Sequence, residues 1–380
     1  MGTLISTPTH EVSIVVDGVE ITGPTSYQIK TSLTEAVDSF TIAFPFHRRT
    51  WDLCLEDRPV RVFIDGVPVI TGRIDDRVAG DEYEVEITGR CNRGRLYDDC
   101  AESISYGGLT LTGLIQQLAR PFFKSVVFTN VQDRALRRGK GKKARAGNEP
   151  ALIAGRKKTG TQIEPGQTRW AVIEQLLDQT GLLAWSSGDG STLIVSQPNY
   201  SQEVQFGFFR PAKDSRRASD GNVIGMRVKY STGDRYSRVL VVGSGPGTAV
   251  NYGAAVAARY GEAKNNEATV DGEGLDFTAP KRLIVQRSIA SLAEAGELAD
   301  REMAKRDAHA VTVEVTAPGH GQRIARAFTT LFACDTLARV EDERTGFTKT
   351  CSIVSCTYQQ SRGASATTTM DLVVKGSVIA

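Results

Sequence analysis

Histidine is scarce in this 380-residue chain, with only His10, His47, His309 and His320. Its cysteines, Cys54, Cys91, Cys100, Cys334, Cys351 and Cys356, include no C-x-x-C pair. Neither set has zinc-site spacing, so no metal or other cofactor is expected. The patterns H-E-x-x-H, G-x-S-x-G and G-x-x-x-x-G-K-[ST] are missing too, which leaves zinc protease, α/β-hydrolase and phosphate-loop chemistry without support. The run GSGPG, Gly243 to Gly247, follows the strand-like VLVV. It lacks G-x-G-x-x-G spacing and opens no helix, so it reads as a glycine-rich turn. Scattered histidines give no hydrolase triad. Acidic pairs such as Asp75/Asp76 and Asp98/Asp99 carry little information among 44 acids. No enzyme is expected.

Other absences narrow the setting. No run of 18 apolar residues exists to form a transmembrane helix. The N-terminal MGTLISTPTHEVSI has neither a basic nor an apolar region of the secretory kind, so no signal peptide is expected. An excess of one charge is also lacking: 46 basic against 44 acidic side chains leave +2. That balance argues against a surface built to coat nucleic acid. The cysteines read either as small buried thiols or, for Cys351 and Cys356, as a disulfide that sequence does not decide.

What is present is ordinary globular material, 40% hydrophobic and 24% charged. The length suggests two to four units. Glycine is abundant at 37 residues, much of it in turn dipeptides, which favours hairpins. EVSIVV-DG-VEI and RVFI-DG-VPVI place Asp17-Gly18 and Asp65-Gly66 between β-branched runs, the signature of two-residue type I′ turns. The shared DGVEITG and DGVPVITG fit two similar hairpins. YEVEITGRC alternates at Val85 and Ile87 as a strand with one wet face. PFHRRTWDLCLED reads as irregular, with Trp51 a packing residue.

Helical periodicity appears at Leu111, Leu114, Ile115 and Leu118, capped by Thr110 or Thr112 and ended by Pro121. A second helix runs from the N-cap Thr168 through Trp170, Ile173, Leu176 and Leu177 to Gly181. A hairpin comes after it, LLAW and TLIV about Gly188-Asp189-Gly190. Strands are expected in 202–250. Residues 251–280 read as a surface excursion, and 286–307 as a helix with Ile289, Leu292, Ala295 and Ala299 on one face and Leu298 beside it. Alternating strands continue to the end.

The partition expected is a β-rich unit over 9–98, a helical and α+β unit over 99–200 with a basic loop at 134–147, and a second β-rich unit from 201–250 and 310–380, with 251–309 carrying the excursion and long helix. In that loop, seven of the twelve residues from 134 to 145 are basic: Arg134, Arg137, Arg138, Lys140, Lys142, Lys143 and Arg145. They read as a solvated loop or as an electrostatic contact for nucleic acid or an acidic partner. Without interleaved aromatics they form no base-stacking platform.

The sequence carries two family resemblances. IEPGQTRWAVIEQLL resembles the opening of LysM peptidoglycan-binding modules through Pro165, Gly166, Gln167, Thr168 and Trp170. The simpler reading is a capped helix with an inward Trp. The order of elements over most of the chain resembles baseplate hub proteins of contractile-tailed phages of the Mu type. It is carried by VDGVEI, PVRVFIDGVPVITGRIDD, PGQTRWAVIEQL, GLLAW with DGSTLIV, and RDAHAVTVEV. It implies a mainly β (β+α) fold, two tail-tube-like β-barrel domains with helix-containing α+β units between them. It further implies a homotrimeric, pseudo-sixfold ring joining a sixfold tail tube to a threefold spike, with a channel for transient DNA passage. The expected partners are the tube protein, the central spike and neighbouring baseplate proteins, with no membrane insertion. Synthesis in the host cytoplasm and residence in the virion baseplate are expected. The alternative is a peptidoglycan-binding or cell-wall-degrading tail component using 163–177.

Overall fold

The computed structural model describes residues 10–80, 83–102, 111–129, 163, 165–178, 182–231, 233, 235–243, 259–264, 269–270, 273–274, 282–286, 292–308, 310–325 and 328–375. The first elements are β1 (Val12–Val16), β2 (Val19–Thr22), β3 (Ser26–Ser32), β4 (Ser39–Pro45), α1 (Arg48–Leu53), β5 (Pro59–Ile64), β6 (Val67–Ala79) and β7 (Glu84–Cys91). Both expected turns are present. Asp17 and Gly18 have φ of 49° and 80°, and Asp65 and Gly66 of 51° and 75°, as a type I′ turn requires. In β7, Val85 and Ile87 are buried while Glu86 between them is exposed. The segment expected to be irregular contains α1, whose N-cap is His47, with Nδ1 accepting from Arg49 N at 3.2 Å. That cap is not among the common N-cap residue types, which is why the pattern hid it.

The middle of the chain supplies α2 (Arg93–Asp98), α3 (Leu111–Ala119), β8 (Ser125–Thr129), α4 (Arg169–Asp178), β9 (Leu183–Ser186) and β10 (Thr192–Ser196). Thr168 caps α4 as expected, accepting from Ala171 N at 3.2 Å. Trp170, Ile173, Leu176 and Leu177 are buried against Leu114, Ile115 and Leu118 of α3. Thr112 lies inside α3, while Thr110 and Gly181 fall outside the described residues. The β9–β10 hairpin is joined by β8, which pairs in parallel with β10.

Next come β11 (Val204–Arg210), β12 (Gly225–Tyr230), β13 (Arg238–Gly243), β14 (Arg259–Lys264), β15 (Thr269–Val270), β16 (Glu273–Gly274), β17 (Arg282–Gln286) and α5 (Leu292–Ala308). Part of the expected surface excursion is strand, since β14 falls inside it. β14 lies beside β13, with β17 on its other edge. Ala295, Ala299 and Met303 of α5 cover Val239, Val241 and Ala263. The approach is close enough that a Cβ on Gly261 would lie 2.0 Å from the Ala295 carbonyl carbon. Small residues make this contact, so the segment shows no apolar period. Ile289 and the remainder of GSGPG after Gly243 lie outside the described residues.

The chain closes with β18 (Val311–Pro318), β19 (Gly321–Ala325), β20 (Phe328–Leu331), β21 (Leu337–Asp342), β22 (Phe347–Gln360) and β23 (Thr367–Val374). Most β-structure belongs to one 13-stranded sheet in the order β12-β18-β23-β22-β3-β4-β7-β6-β5-β1-β2, with β21 on β22 and β11 on β21. The fold is thus mainly β. One continuous core runs beneath it, from Ile14, Ile42 and Ile87 to Val315, Ile353 and Leu372. Each such fully buried aliphatic side chain contributes roughly 1.5–3 kcal/mol relative to exposure.

The sheet is internally duplicated. β3-β4-β7-β6-β5-β1 and β12-β18-β23-β22-β21-β11 have the same spatial order and the same chain order. Every pair in both runs is antiparallel except β11–β21, which is parallel where its counterpart β1–β5 is antiparallel. The long strand of each unit carries a bulge at the same place, between Ile74 and Asp76 in β6 and between Ile353 and Ser355 in β22. Backbone details repeat as well. Asp57 N donates to Ile74 O at 2.8 Å and Asp335 N to Ile353 O at 3.0 Å. Thr25 N donates to Ala43 O and Ile224 N to Thr316 O, both at 2.8 Å.

Candidate assembly interface

One strand joins the two units. The first half of β22, Phe347–Ser352, pairs with β21, and its second half, Ser355–Gln360, pairs with β3 of the first unit. The switch occurs at the bulge residue Val354, whose carbonyl accepts from Leu33 N at 2.9 Å. A bulge bends its strand and re-aims the residues beyond it, so β22 leaves one partner and takes another. β23 stays along its other edge across the switch.

A polar cluster locks the same seam. His10 Nδ1 lies 2.6 Å from Asp65 Oδ2, and His320 N donates to His10 Nε2 at 2.8 Å. Nε2 of His10 therefore accepts, and Nδ1 carries the proton toward Asp65. Thr368 Oγ1 donates to Gly319 O at 2.7 Å and lies 2.9 Å from His320 Nδ1. His320 Nδ1 must then donate to Thr368, which leaves Nε2 to accept from Tyr27 OH at 2.6 Å. His320 is neutral in this network. Burial, then the neighbouring His10, pushes its pKa down to about 4. Cys334, Cys356 and Tyr358 lie nearby, with Tyr358 OH donating to Phe332 O. Burial raises the Cys356 thiol and the Tyr358 hydroxyl well above their usual ranges.

The α+β unit is anchored to the first β unit by Arg93. Its fully buried guanidinium donates to Asp38 Oδ1 at 2.9 Å, Ala184 O at 3.0 Å, Glu35 O at 3.2 Å and Ser32 O at 3.3 Å. Thr71 Oγ1 donates to Gly188 O and Asn92 Nδ2 to Gly190 O, both at 2.9 Å, so the β9–β10 turn sits on β6. A cleft of about 390 Å³ beside this junction is lined by Arg73, Asp75, Arg90, Arg95 and Asp98 among others. Its charges are already spent on one another. Arg90 makes a bidentate pair with Asp75 at 2.7 and 3.1 Å and reaches Asp98 at 2.9 Å.

Expected site residues fare unequally. Arg134, Arg137, Arg138, Lys140, Lys142, Lys143 and Arg145 all lie outside the described residues. Trp170 is 5% exposed and stacks on Tyr97 with ring centroids 5.4 Å apart. Trp51 packs against the main core beneath the Arg77 guanidinium, 4.3 Å from its ring centre. All six cysteines are free: four are buried, Cys334 is half-buried and Cys100 is exposed. A Cys351–Cys356 disulfide is excluded because on the order of 15 Å of strand separates them, beyond the span a disulfide tolerates. Among the described residues no group of three His, Cys, Asp or Glu is placed to hold a metal ion. No helix among them is long and apolar enough to cross a membrane. The seam itself escaped sequence reading. Its one signal is the similarity of Ile29-Lys30-Thr31-Ser32 in β3 to Val228-Lys229-Tyr230-Ser231 at the end of β12 and just after it.

Residues 11–91 match the family described as Mu phage baseplate assembly protein GpP-like, N-terminal. The matched stretch coincides with the first β unit, from β1 to β7. No curated protein sequence matches the chain. Among solved structures, a tail protein from Neisseria meningitidis is 22% identical with a TM-score of 0.73, over 97% of both chains. The 43 kDa tail protein of prophage MuSo2 from Shewanella oneidensis is 18% identical with a TM-score of 0.72, over 97% of this chain and 100% of its own. An Escherichia coli component of the type VI secretion system, structurally similar to T4 bacteriophage tail proteins, reaches 0.54 at 10% identity, over 96% of this chain and 77% of its own. The chain thus shares its fold along nearly its whole length with these tail proteins, including the mainly β architecture that its sequence resemblance implied.

Proposed function

We propose that this chain is a baseplate protein, a structural hub forming a homotrimeric, pseudo-sixfold ring that joins the sixfold tail tube to a threefold spike. The observation that carries this is the internal duplication. Two β units of one topology meet through direct strand pairing within one chain. Three copies of a doubled unit present six similar positions on one face while keeping threefold symmetry elsewhere. Head-to-tail contacts of this kind form a ring if their rotation closes. The tube would sit on the sixfold face and the spike on the threefold one. A central channel would let DNA pass transiently. The division into two tube-like barrels with inserted units remains part of this reading.

The basic segment from Arg134 to Arg145 is proposed as an electrostatic contact with an acidic partner, whose affinity would fall with added salt. The alternative cell-wall function would need an accessible Trp170, and that ring is buried. Particle images of the purified protein test the main reading. A closed ring with an axial hole and a mass of three chains is expected. A monomer at micromolar concentration, or an open filament, overturns it.

A further inference from the structure

Within the chain, one β unit offers a strand edge that gives and the other a strand edge that receives. The giving edge is the half of β22 beyond its bulge. The receiving edge is β3. They pair as Ser355 with Ser32, Cys356 with Thr31, Thr357 with Lys30 and Tyr358 with Ile29.

The duplication supplies the missing counterparts. β6 corresponds to β22 and β12 to β3, bulge for bulge and register for register. β5 pairs with β6 only as far as Arg73, so among the described residues Asp76–Ala79 have β7 on one side and no strand on the other. Among the described residues β12 is an end strand of the sheet, with β18 as its strand partner. Along these two edges Val78 is 53% exposed and Tyr230 52%. A strand edge with no strand beside it invites strand addition.

We infer that β6 of one copy pairs antiparallel with β12 of the next, in the register of the internal seam. Transferring that register sets Asp76 opposite Ser231, Arg77 opposite Tyr230, Val78 opposite Lys229 and Ala79 opposite Val228. The side chains agree with the template. Lys229 takes the place of Lys30, Ser231 that of Ser32, and Val228 that of Ile29. Every unit then gives through its long bulged strand and receives through its β3-type strand. Internal and inter-copy seams alternate around the ring as a consequence. This inference rests on the proposed ring and names its interface.

Disulfide trapping tests it. Leu33 N donates to Val354 O, so Val354 and Leu33 form a hydrogen-bonded pair. Counting on from it, the Thr357–Lys30 pair lies between hydrogen bonds, where Cα atoms approach to about 4.5 Å, within disulfide range. Its counterpart is Val78 with Lys229. In a background with the exposed Cys100 changed to Ser, Val78→Cys with Lys229→Cys is oxidised and run on a non-reducing gel beside both single variants. A second pair, Val78→Cys with Tyr230→Cys, is the register control, because neighbouring strand residues point to opposite faces. Particle mass is measured in parallel. A strong inter-chain ladder ending at the trimer, absent from the control pair, is the expected result. A trimer by mass without that cross-link overturns the inferred edge and leaves the ring reading standing. Cross-linking of the control pair in place of the first overturns the register. A monomer by mass without cross-link overturns the ring reading and the inference together.

Discussion

Asp57 and Asp335 occupy the same point in the two β units, each with positive φ, 63° and 58°, and each sending its amide to the isoleucine carbonyl just before a bulge. The left-handed backbone is tolerated by Asp far better than by a β-branched residue. Asp57→Val should therefore lose about 1–2 kcal/mol, whereas Asp57→Gly should stay near the wild type. The Asp57 contacts with Arg73 and Arg95 are exposed and add little. Urea denaturation of both variants checks this. Equal losses would show that the carboxylate, and not the backbone angle, is what the position needs.

Arg93 is the second point of leverage. Its guanidinium satisfies three carbonyls and Asp38 with no access to water. Removing one partner of a buried pair leaves the other charge unpaired, at about 3–5 kcal/mol. Arg93→Ala should lose that much stability. Arg93→Lys should recover only part of it, since a point charge cannot serve the planar fork. Limited proteolysis should cut the variant first at the junction of the α+β unit with the first β unit. Full retention of stability in Arg93→Ala would remove the anchor role.

His320 gives the seam a pH dependence. Its folded pKa of about 4 lies below the ordinary value of 6.5, chiefly through burial. The unfolded chain therefore binds more protons at intermediate pH, and stability falls as pH falls. The contribution is complete above pH 6.5 and is lost progressively toward pH 4, about 3 kcal/mol across the window at 1.36 kcal/mol per unit. The groups facing the ring are His10, Tyr27, Tyr358 and Thr368, with Asp65 beyond His10. Denaturation midpoints measured from pH 7.5 to 5, where most carboxylates remain ionised, should fall in the wild type. In His320→Gln the slope should be flatter, from a lower starting stability. Parallel slopes would assign the dependence to other groups.

These residues also show where sequence reasoning reaches. The Asp-Gly turns, the alternation at Val85 and Ile87, and the Thr168-capped helix were legible because each is set by neighbours a few positions away. The Mu-type resemblance was legible because it rests on the order of such pieces. The seam was not. Its pairing joins residues more than 300 positions apart, as Thr31 with Cys356, and its partner change depends on one extra residue, Val354, inside an unbroken run of strand formers. β14 was missed for another reason. Its contact with α5 is made by Gly261 and Ala295, which carry too little apolar surface to leave a periodic trace. The similarity of DGVEITG to DGVPVITG was visible, but it marks two adjacent hairpins and not the duplication of the whole unit.

Trp170 separates packing from recognition. It fills the space between Tyr97 and the α3–α4 contact, with the Arg93 guanidinium 5.8 Å from its ring centre. Burying an indole and then deleting it leaves a large cavity, and Trp170→Ala should cost about 3–5 kcal/mol. Trp170→Phe should recover most of it by keeping the stacked ring. If the ring instead recognises peptidoglycan, wild-type protein will be retained on purified sacculi, and Trp170→Phe will lose retention while keeping its fold. The expected outcome is no specific retention of the wild type, together with a large melting-temperature drop for Trp170→Ala and a small one for Trp170→Phe.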